Sequence, residues 1–268
     1  MKMKSIEVSK LDFDKTIEEI CNFVRKIVED SGAKGIVVGL SGGVDSSLTA
    51  TLCVRALGND KVLGVLMPTS FTPTQDMQDA KELAEWLSIR TELVNIEDLS
   101  ENFFRNLSLN QKDTKQKMPM ANIRARIRMV ILYYYANVNS YIVVGTGDRS
   151  EGLIGFFTKY GDGGADLLPI SHLYKTQVRE LAKYLGVPEK ISYKPSSPQL
   201  YPGHKATDEI PICYEALDPI LVGLFDYKLK PEKISKMTRV PIYVVKEVTR
   251  RFNNSKHKRS SPTMIREW

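Results

Sequence analysis

Cysteine and histidine are scarce in this 268-residue sequence, three of each, and both are scattered. Cys21, Cys53 and Cys213 stand far apart and odd in number, which excludes a disulfide framework or a zinc-type pair. Each is expected to be a buried thiol. His172, His204 and His257 show no metal-ligand spacing either. Long apolar runs are missing. Stretches such as Ile36-Val37-Val38-Gly39-Leu40 fall far short of the roughly 20 residues that cross a bilayer. After Met1-Lys2-Met3-Lys4 no apolar segment of a signal peptide follows. The expectation is a cytoplasmic protein with no membrane partner. Repeats, low-complexity tracts and flexible linkers are also lacking, so residues 1–268 are expected to form one compact unit.

What is present is a net charge of +6 and a basic cluster at Lys256-His257-Lys258-Arg259. Such a balance suits nucleic acid, and equally small polyanions such as ATP and dinucleotides. Local patterns have to choose. Ile17, Ile20, Cys21, Val24, Ile27 and Val28 share one face of a helix expected over Asp12–Asp30, stopped by Ser31-Gly32. Gly35–Leu40 is a short, almost wholly apolar strand, which implies a parallel sheet covered on both faces. A helix over Ser46–Leu57 and a strand over Val62–Met67 follow. Thr72-Pro73-Thr74-Gln75 has the form of a capped helix start, with Thr72 as cap and Gln75 closing a capping box. A strand over Glu92–Ile96, a long helix over Met120–Asn137 and a strand over Tyr141–Thr146 complete the pattern. This β–α alternation predicts an α/β fold, a doubly wound and mainly parallel sheet with its ligands at the strand ends. Residues 147–170 and 194–206 read as polar loops around a helix at Thr176–Leu185, and short helices make up the C-terminal third.

The strongest local feature is Gly39-Leu40-Ser41-Gly42-Gly43-Val44-Asp45-Ser46-Ser47, placed between the first strand and the second helix. Glycines let backbone N–H groups approach an anion, and a helix start adds partial positive charge. Ser41, Ser46 and Ser47 can add hydroxyl donors. The segment is therefore read as a phosphate loop, although it lacks the lysine of the P-loop and the spacing of the dinucleotide fingerprint. Asp45 beside a triphosphate calls for an intervening cation, and Mg²⁺ held by carboxylate and phosphate oxygens is the physical solution. In the long helix, Ile123, Ile127, Val130, Ile131 and Tyr134 define an apolar stripe. Arg126 falls on its margin, while Arg124 and Arg128 point further out. A half-buried guanidinium there needs an anionic or carbonyl partner.

Ser41-Gly42-Gly43-Val44-Asp45-Ser46 resembles the pyrophosphate loop of the N-type ATP pyrophosphatases, which cleave ATP between its α and β phosphates. The run from Gly155-Phe156-Phe157-Thr158-Lys159 through Gly161-Asp162-Gly163-Gly164-Ala165-Asp166 to Pro169 is similar to the diagnostic stretch of the NAD⁺ synthetases, the ammonia-dependent ones by length. Lys175-Thr176-Gln177-Val178-Arg179 and His257-Lys258-Arg259 match as well, and the resemblance spans Asp14 to Pro262. It implies a Rossmann-like fold of the adenine nucleotide alpha hydrolase type and a homodimer. It also implies amidation of deamido-NAD⁺ through an adenylate, with AMP and pyrophosphate released.

Carried over position by position, the resemblance makes Gly39, Leu40, Ser41, Gly42, Gly43, Val44, Asp45 and Ser46 the ATP loop. Thr146, Lys175 and Ser197 become further ATP contacts, and Asp45 and Glu151 the Mg²⁺ carboxylates. Arg126, Lys159, Asp166, His257 and Lys258 become contacts to deamido-NAD⁺. Asp45 and Lys175 would serve the adenylation step, and Asp166 or Asp162 would take a proton from ammonium. Two regions depart from the common pattern. Asp148-Arg149 stands where an Asn-containing turn is usual, and residues 196–208 diverge. The chain has no room for a glutaminase domain, so free ammonia is the expected nitrogen source. A tRNA-modifying relative and a non-catalytic nucleotide sensor are the competing readings. The former usually employs catalytic cysteines, and none lies near this loop except Cys53 on the following helix; the latter needs no Asp45–Glu151 metal pair.

Overall fold

A computed structural model of the chain describes residues 5–110, 112–210, 212–262 and 264–265. The Met1–Lys4 start therefore lies outside the described residues. Helix α1 (Phe13–Asp30) is capped by Asp12, whose carboxylate accepts from the Lys15 N–H at 3.2 Å. It leads into β1 (Ile36–Gly39), α2 (Val44–Leu57), β2 (Val62–Leu66), α3 (Thr74–Trp86) and β3 (Arg90–Leu93). Next come α4 (Glu97–Asn106), α5 (Lys117–Asn139), β4 (Ile142–Val144) and α6 (Arg149–Ile154). The chain continues through α7 (Lys175–Tyr184), α8 (Glu189–Ser192), α9 (Tyr214–Leu221), α10 (Pro231–Thr238) and α11 (Ile242–Asn254).

All four strands are parallel, in the order β3-β2-β1-β4. The sheet therefore grows one way from β1 to β3 and the other way to β4. Between β1 and β4 the crossovers diverge, and a crevice opens beyond the strand ends at such a point. Ile36, Val37 and Val38 are fully buried because both faces of β1 are covered. On one face α1, α2 and α7 bury Val24, Leu48, Leu52 and Leu181. Each such side chain contributes about 1.5–3 kcal/mol by leaving water. On the other face α5 lays Ile127 and Ala136 against Val37, Val65 and Val143. The C-terminal helices enclose a separate cluster around Leu217, Ile220, Ile234 and Val248.

Several expectations need correction. Helix α3 starts after Pro73, with no side-chain cap, and Thr72 Oγ1 instead accepts from the Thr69 N–H at 2.9 Å. The third strand lies at Arg90–Leu93 rather than Glu92–Ile96, and as an exposed edge it has no buried face to fix its position in the sequence. Cys21 and Cys53 are buried, but Cys213 is exposed just before α9. The expected stripe on α5 is only half right: Ile127 is buried, yet Val130 and Tyr134 are each 61% exposed. Arg124 is buried instead of outward. Its guanidinium lies over the rings of Phe71 and Phe104, and Nη1 donates to the Leu200 carbonyl at 3.0 Å. Arg126 is the exposed one.

Candidate active site

At the β1/β4 divergence lies a cavity of about 360 Å³. Its walls come from the ends of β1, β2 and β4, from the glycine-rich segment after α6, and from residues 194–200. Every residue of the expected phosphate loop from Gly39 to Ser46 lines it except Gly42. Gly42 turns the other way, with φ +75°, and a Cβ there would stand 2.2 Å from the Asp76 carbonyl oxygen. Only glycine fits. Gly43 is the N-cap of α2 and provides no side-chain cap, which leaves first-turn N–H groups for an anion.

The serines divide their roles. Ser46 Oγ donates to the Gly43 carbonyl at 3.0 Å and accepts from the Ser41 N–H at 3.3 Å. Ser47 Oγ donates to the same carbonyl at 2.8 Å, is fully buried and does not reach the cavity. Ser47 thus shapes the loop, and the expectation that it offers a donor to phosphate is not met. Ser41 Oγ accepts from the Gly43 N–H at 3.3 Å on the cavity wall.

Behind the loop lies a buried charge cluster. Lys175, first residue of α7, is completely inaccessible. Its ammonium donates to both Asp45 oxygens at 2.7 Å and to Glu151 Oε1 at 2.9 Å, and Asp148 Oδ2 is 3.1 Å away. The α7 start is fixed by Asp218, which accepts from the Thr176 N–H and hydroxyl and from Ser150 Oγ, while Ser150 in turn receives the Lys175 N–H. Burial alone pushes the Lys175 ammonium down, but Asp148, Asp45 and Glu151 together outweigh it and hold its pKa well above normal. For Asp148 burial wins: despite Lys175, and with Asp45 adding repulsion, its pKa rises to about 7. Glu151 is raised by the same burial, against Lys175 and with help from the neighbouring carboxylates.

Asp45 and Glu151, the expected metal pair, are brought together at the cavity wall, and Lys175 sits behind them rather than on the wall. Among the described residues no group of three or more His, Cys, Asp and Glu forms a metal cage. The donor chemistry nonetheless fits Mg²⁺. Two carboxylates, 21% and 18% exposed, offer hard oxygens beside the phosphate loop, and Mg²⁺ normally completes its shell with phosphate and water.

Thr146 and Ser197 line the cavity as expected, with Ser197 Oγ bonded to the His204 carbonyl. Of the residues expected to hold the dinucleotide, only Lys258 lines the cavity; its ammonium donates to the Gly155 and Phe157 carbonyls. Arg126, Lys159 and His257 form a chain outside it: Arg126 Nη2 reaches the Lys159 carbonyl at 3.3 Å and Lys159 Nζ the His257 carbonyl at 2.6 Å. Asp166 is elsewhere. Its carboxylate accepts from the Val143 N–H at 2.7 Å and Tyr133 OH at 3.0 Å, which stitches the glycine-rich segment to β4. Asp162 does line the cavity, and burial pushes its pKa up against the Thr158 and Lys258 contacts.

Sequence reasoning missed Asp148, Arg128 and Lys194. Asp148 had a legible signal: Asp-x-x-Glu is a helix-start pattern, and Asp148 Oδ1 caps α6 by accepting from the Glu151 N–H at 2.8 Å. Arg128, expected to point outward, lines the cavity with Nε on the Met67 carbonyl at 3.3 Å. Burial lowers its pKa to about 10, with Arg124 adding repulsion, and it stays charged at neutral pH.

Comparison with known proteins points one way. The profile of one family, NAD synthase, matches residues 16–262. An NH(3)-dependent NAD(+) synthetase from Hyperthermus butylicus is 49% identical over 263 residues, covering 98% of this chain and 94% of that one. The corresponding enzyme of Staphylothermus marinus is 46% identical over 261 residues, covering 96% and 92%. Among solved structures, NMN synthetase from Francisella tularensis superposes with a TM-score of 0.82 at 33% identity, covering 96% of this chain and 99% of that one. NH3-dependent NAD synthetase from Campylobacter jejuni gives 0.80 at 30%, covering 96% and 100%.

Proposed function

The chain belongs to the NAD synthase family, and from that premise we propose that it joins ammonia to the nicotinate carboxylate of deamido-NAD⁺ at the expense of ATP, as a carbon–nitrogen ligase. A carboxylate does not react with ammonia because oxide is a poor leaving group. Attack of the carboxylate on the α-phosphorus of ATP breaks the α–β bond, expels pyrophosphate and forms a mixed anhydride with AMP. Ammonia then adds to the acyl carbon, AMP leaves, and one proton is lost to give the amide. The first step needs no base, only alignment and charge neutralisation.

The observation that carries this reading is the Asp45–Lys175–Glu151 cluster set directly behind a phosphate loop. First-turn N–H groups of α2 and the Ser41 hydroxyl bind the departing phosphates. Asp45 and Glu151 would hold Mg²⁺, which would supply charge neutralisation to those phosphates. Lys175 keeps both carboxylates aligned and at a distance from bulk water. Thr146 and Ser197 contact ATP, and the Arg126–Lys159–His257 chain with Lys258 takes the dinucleotide. Asp162, which faces the cavity, is the better placed proton acceptor in the ammonia step, and Asp166 is better placed to hold the loop. The chain acts as one unit and as a homodimer; the exposed Val130, Tyr134 and Val138 row on α5 supports a second copy there. No described helix is long and apolar enough to cross a membrane. On this reading the reaction runs in the cytoplasm and needs no nucleic acid.

The test is amidation by purified protein with deamido-NAD⁺ carrying ¹⁸O in its carboxylate, plus ATP, Mg²⁺ and either ammonium or glutamine. The label should appear in AMP, and ammonium should suffice. Label in pyrophosphate, or turnover only with added tRNA, would overturn the reading. Nicotinate mononucleotide in a parallel arm decides between the two substrates that the names of the structural neighbours suggest.

A further inference from the structure

Lys194 begins the 194–206 segment, and its ammonium reaches three acceptors on two elements, the glycine turn and α3. It donates to the Gly42 carbonyl at 3.0 Å, to Asp76 Oδ1 at 2.8 Å and to Asp79 Oδ2. An ammonium has three donors, and here all three are used. Lys194 lines the cavity yet has no proton left for a phosphate, which argues against a direct ATP contact. Asp76 accepts a second bond from Gln199, further along the same segment, and Asp79 a second ion pair from Lys190 on α8. Burial pushes the Asp79 carboxyl up, but bonds from Lys194, Lys190 and Gln75 outweigh it and bring its pKa to about 2. Asp79 is therefore ionised at any working pH.

The Gly42 carbonyl and the Gly43 N–H belong to one planar peptide unit and point in opposite directions. Holding the oxygen on Lys194 fixes the N–H on the other side, where it meets Ser41 Oγ on the cavity wall. Glycine at 42 and 43 has the widest backbone freedom, so this peptide would otherwise flip at little cost. The 194–206 segment meanwhile covers the cavity with Pro195 to Leu200 and is pinned at its far side by Arg124 on the Leu200 carbonyl.

We propose that Lys194 is a positioning residue that couples the two loops: only while residues 194–200 are seated does the Gly42–Gly43 peptide hold its N–H on Ser41 Oγ and so aim that hydroxyl at the departing pyrophosphate. This deepens the reading of the cavity as an ATP site and rests on it. A lysine at this point does by contact with a carbonyl what a direct phosphate ligand would do by charge.

The test uses the full chain and α,β-methylene-ATP with Mg²⁺, bound at equilibrium without dinucleotide. Lys194→Met should weaken binding about tenfold, the loss of one oriented charge-assisted bond. Amide exchange at Gly43 should accelerate in step, and Lys194→Arg should restore most of both. Unchanged affinity overturns the proposal. So does weakened affinity with unaltered exchange at Gly43, which would make Lys194 a direct ligand. If Lys194→Met does not fold, Gln199→Ala loosens the same clasp and should give a smaller loss of affinity with faster Gly43 exchange; wild-type values in that variant also overturn it. Wild-type protein that binds the analogue but makes no NAD⁺ would sink the functional reading alone.

Discussion

Replacing Asp148 by asparagine should stabilise this protein, and by an amount that depends on pH in a defined window. Asp148 is completely buried, 3.1 Å from Lys175 and close to two further carboxylates. Its pKa rises from 3.8 to about 7 because burial and Asp45 outweigh Lys175. A folded state that holds a proton more tightly than the unfolded chain is favoured below the unfolded pKa and loses that advantage as pH rises through the folded one. The loss begins near pH 4 and is complete above pH 7. At 1.36 kcal/mol per unit it amounts to about 4 kcal/mol. An asparagine does not titrate and mimics the protonated acid, and its amide oxygen can take over the cap bond to the Glu151 N–H.

The measurement is urea unfolding of wild type and Asp148→Asn, without nucleotide or divalent metal, at pH 5 and pH 8. The stability difference should grow by about 3 kcal/mol in favour of the variant between these values, since about two units of the shift lie above pH 5. A difference independent of pH would refute the account. It would mean that Lys175 compensates Asp148 fully and that the crowding of carboxylates around one ammonium costs nothing.

Lys175→Met should do the opposite, leaving three carboxylates without their cation. A loss of about 3–5 kcal/mol at pH 8, smaller at pH 5, is expected in the same unfolding assay, together with loss of pyrophosphate release. Gly42→Ala should weaken ATP binding about a hundredfold with a modest change in melting temperature, because its Cβ collides with the Asp76 backbone and displaces the loop; titration calorimetry reads this. Iodoacetamide on the native protein should label Cys213 and neither of the other cysteines, since Cys21 and Cys53 are buried and burial, with Cys21 adding repulsion, pushes the Cys53 thiol up to about 12; two labels on a folded chain would contradict the packing of α1 on α2.

Elements set by one dominant force were legible in the sequence. The apolar Ile36–Gly39 strand, the glycine turn and the stop of α1 at Ser31-Gly32 each have a local cause, and each lies where its residues place it. Helix α5 does not have one cause. It packs Ile127 on the sheet, sends Arg124 under Phe71 and Phe104, turns Arg128 into the cavity and leaves Val130, Tyr134 and Val138 outside. Apolar residues on more than one face erase the periodic signal, so the argument from about 100° per residue picked the wrong arginine. Asp166 was hard to read for another reason. A carboxylate bound by a backbone N–H 23 positions away and a tyrosine 33 positions away looks, in sequence, like any acid in a catalytic loop. Lys194 was invisible because its meaning lies in three acceptors that only the fold assembles.

The placement of Lys175 explains why a buried charge cluster is kept where apolar side chains would fold as well. Asp45 comes from α2 in the core under the sheet, Asp148 and Glu151 from α6 and its cap, and Asp218, which fixes the α7 start, from α9 in the C-terminal core. No part of the chain forms this arrangement by itself. With every carboxylate ionised, three negative charges share one ammonium, and two of the three acids, Asp45 and Glu151, are open to the cavity. A second lysine would close the balance but would also fill the wall and compete with the phosphate loop for the nucleotide. On the proposed function, leaving the excess negative charge at the surface of the cavity would make the site complete only when a divalent cation arrives with its phosphates. The cluster is therefore stable enough to fold and unbalanced enough to bind.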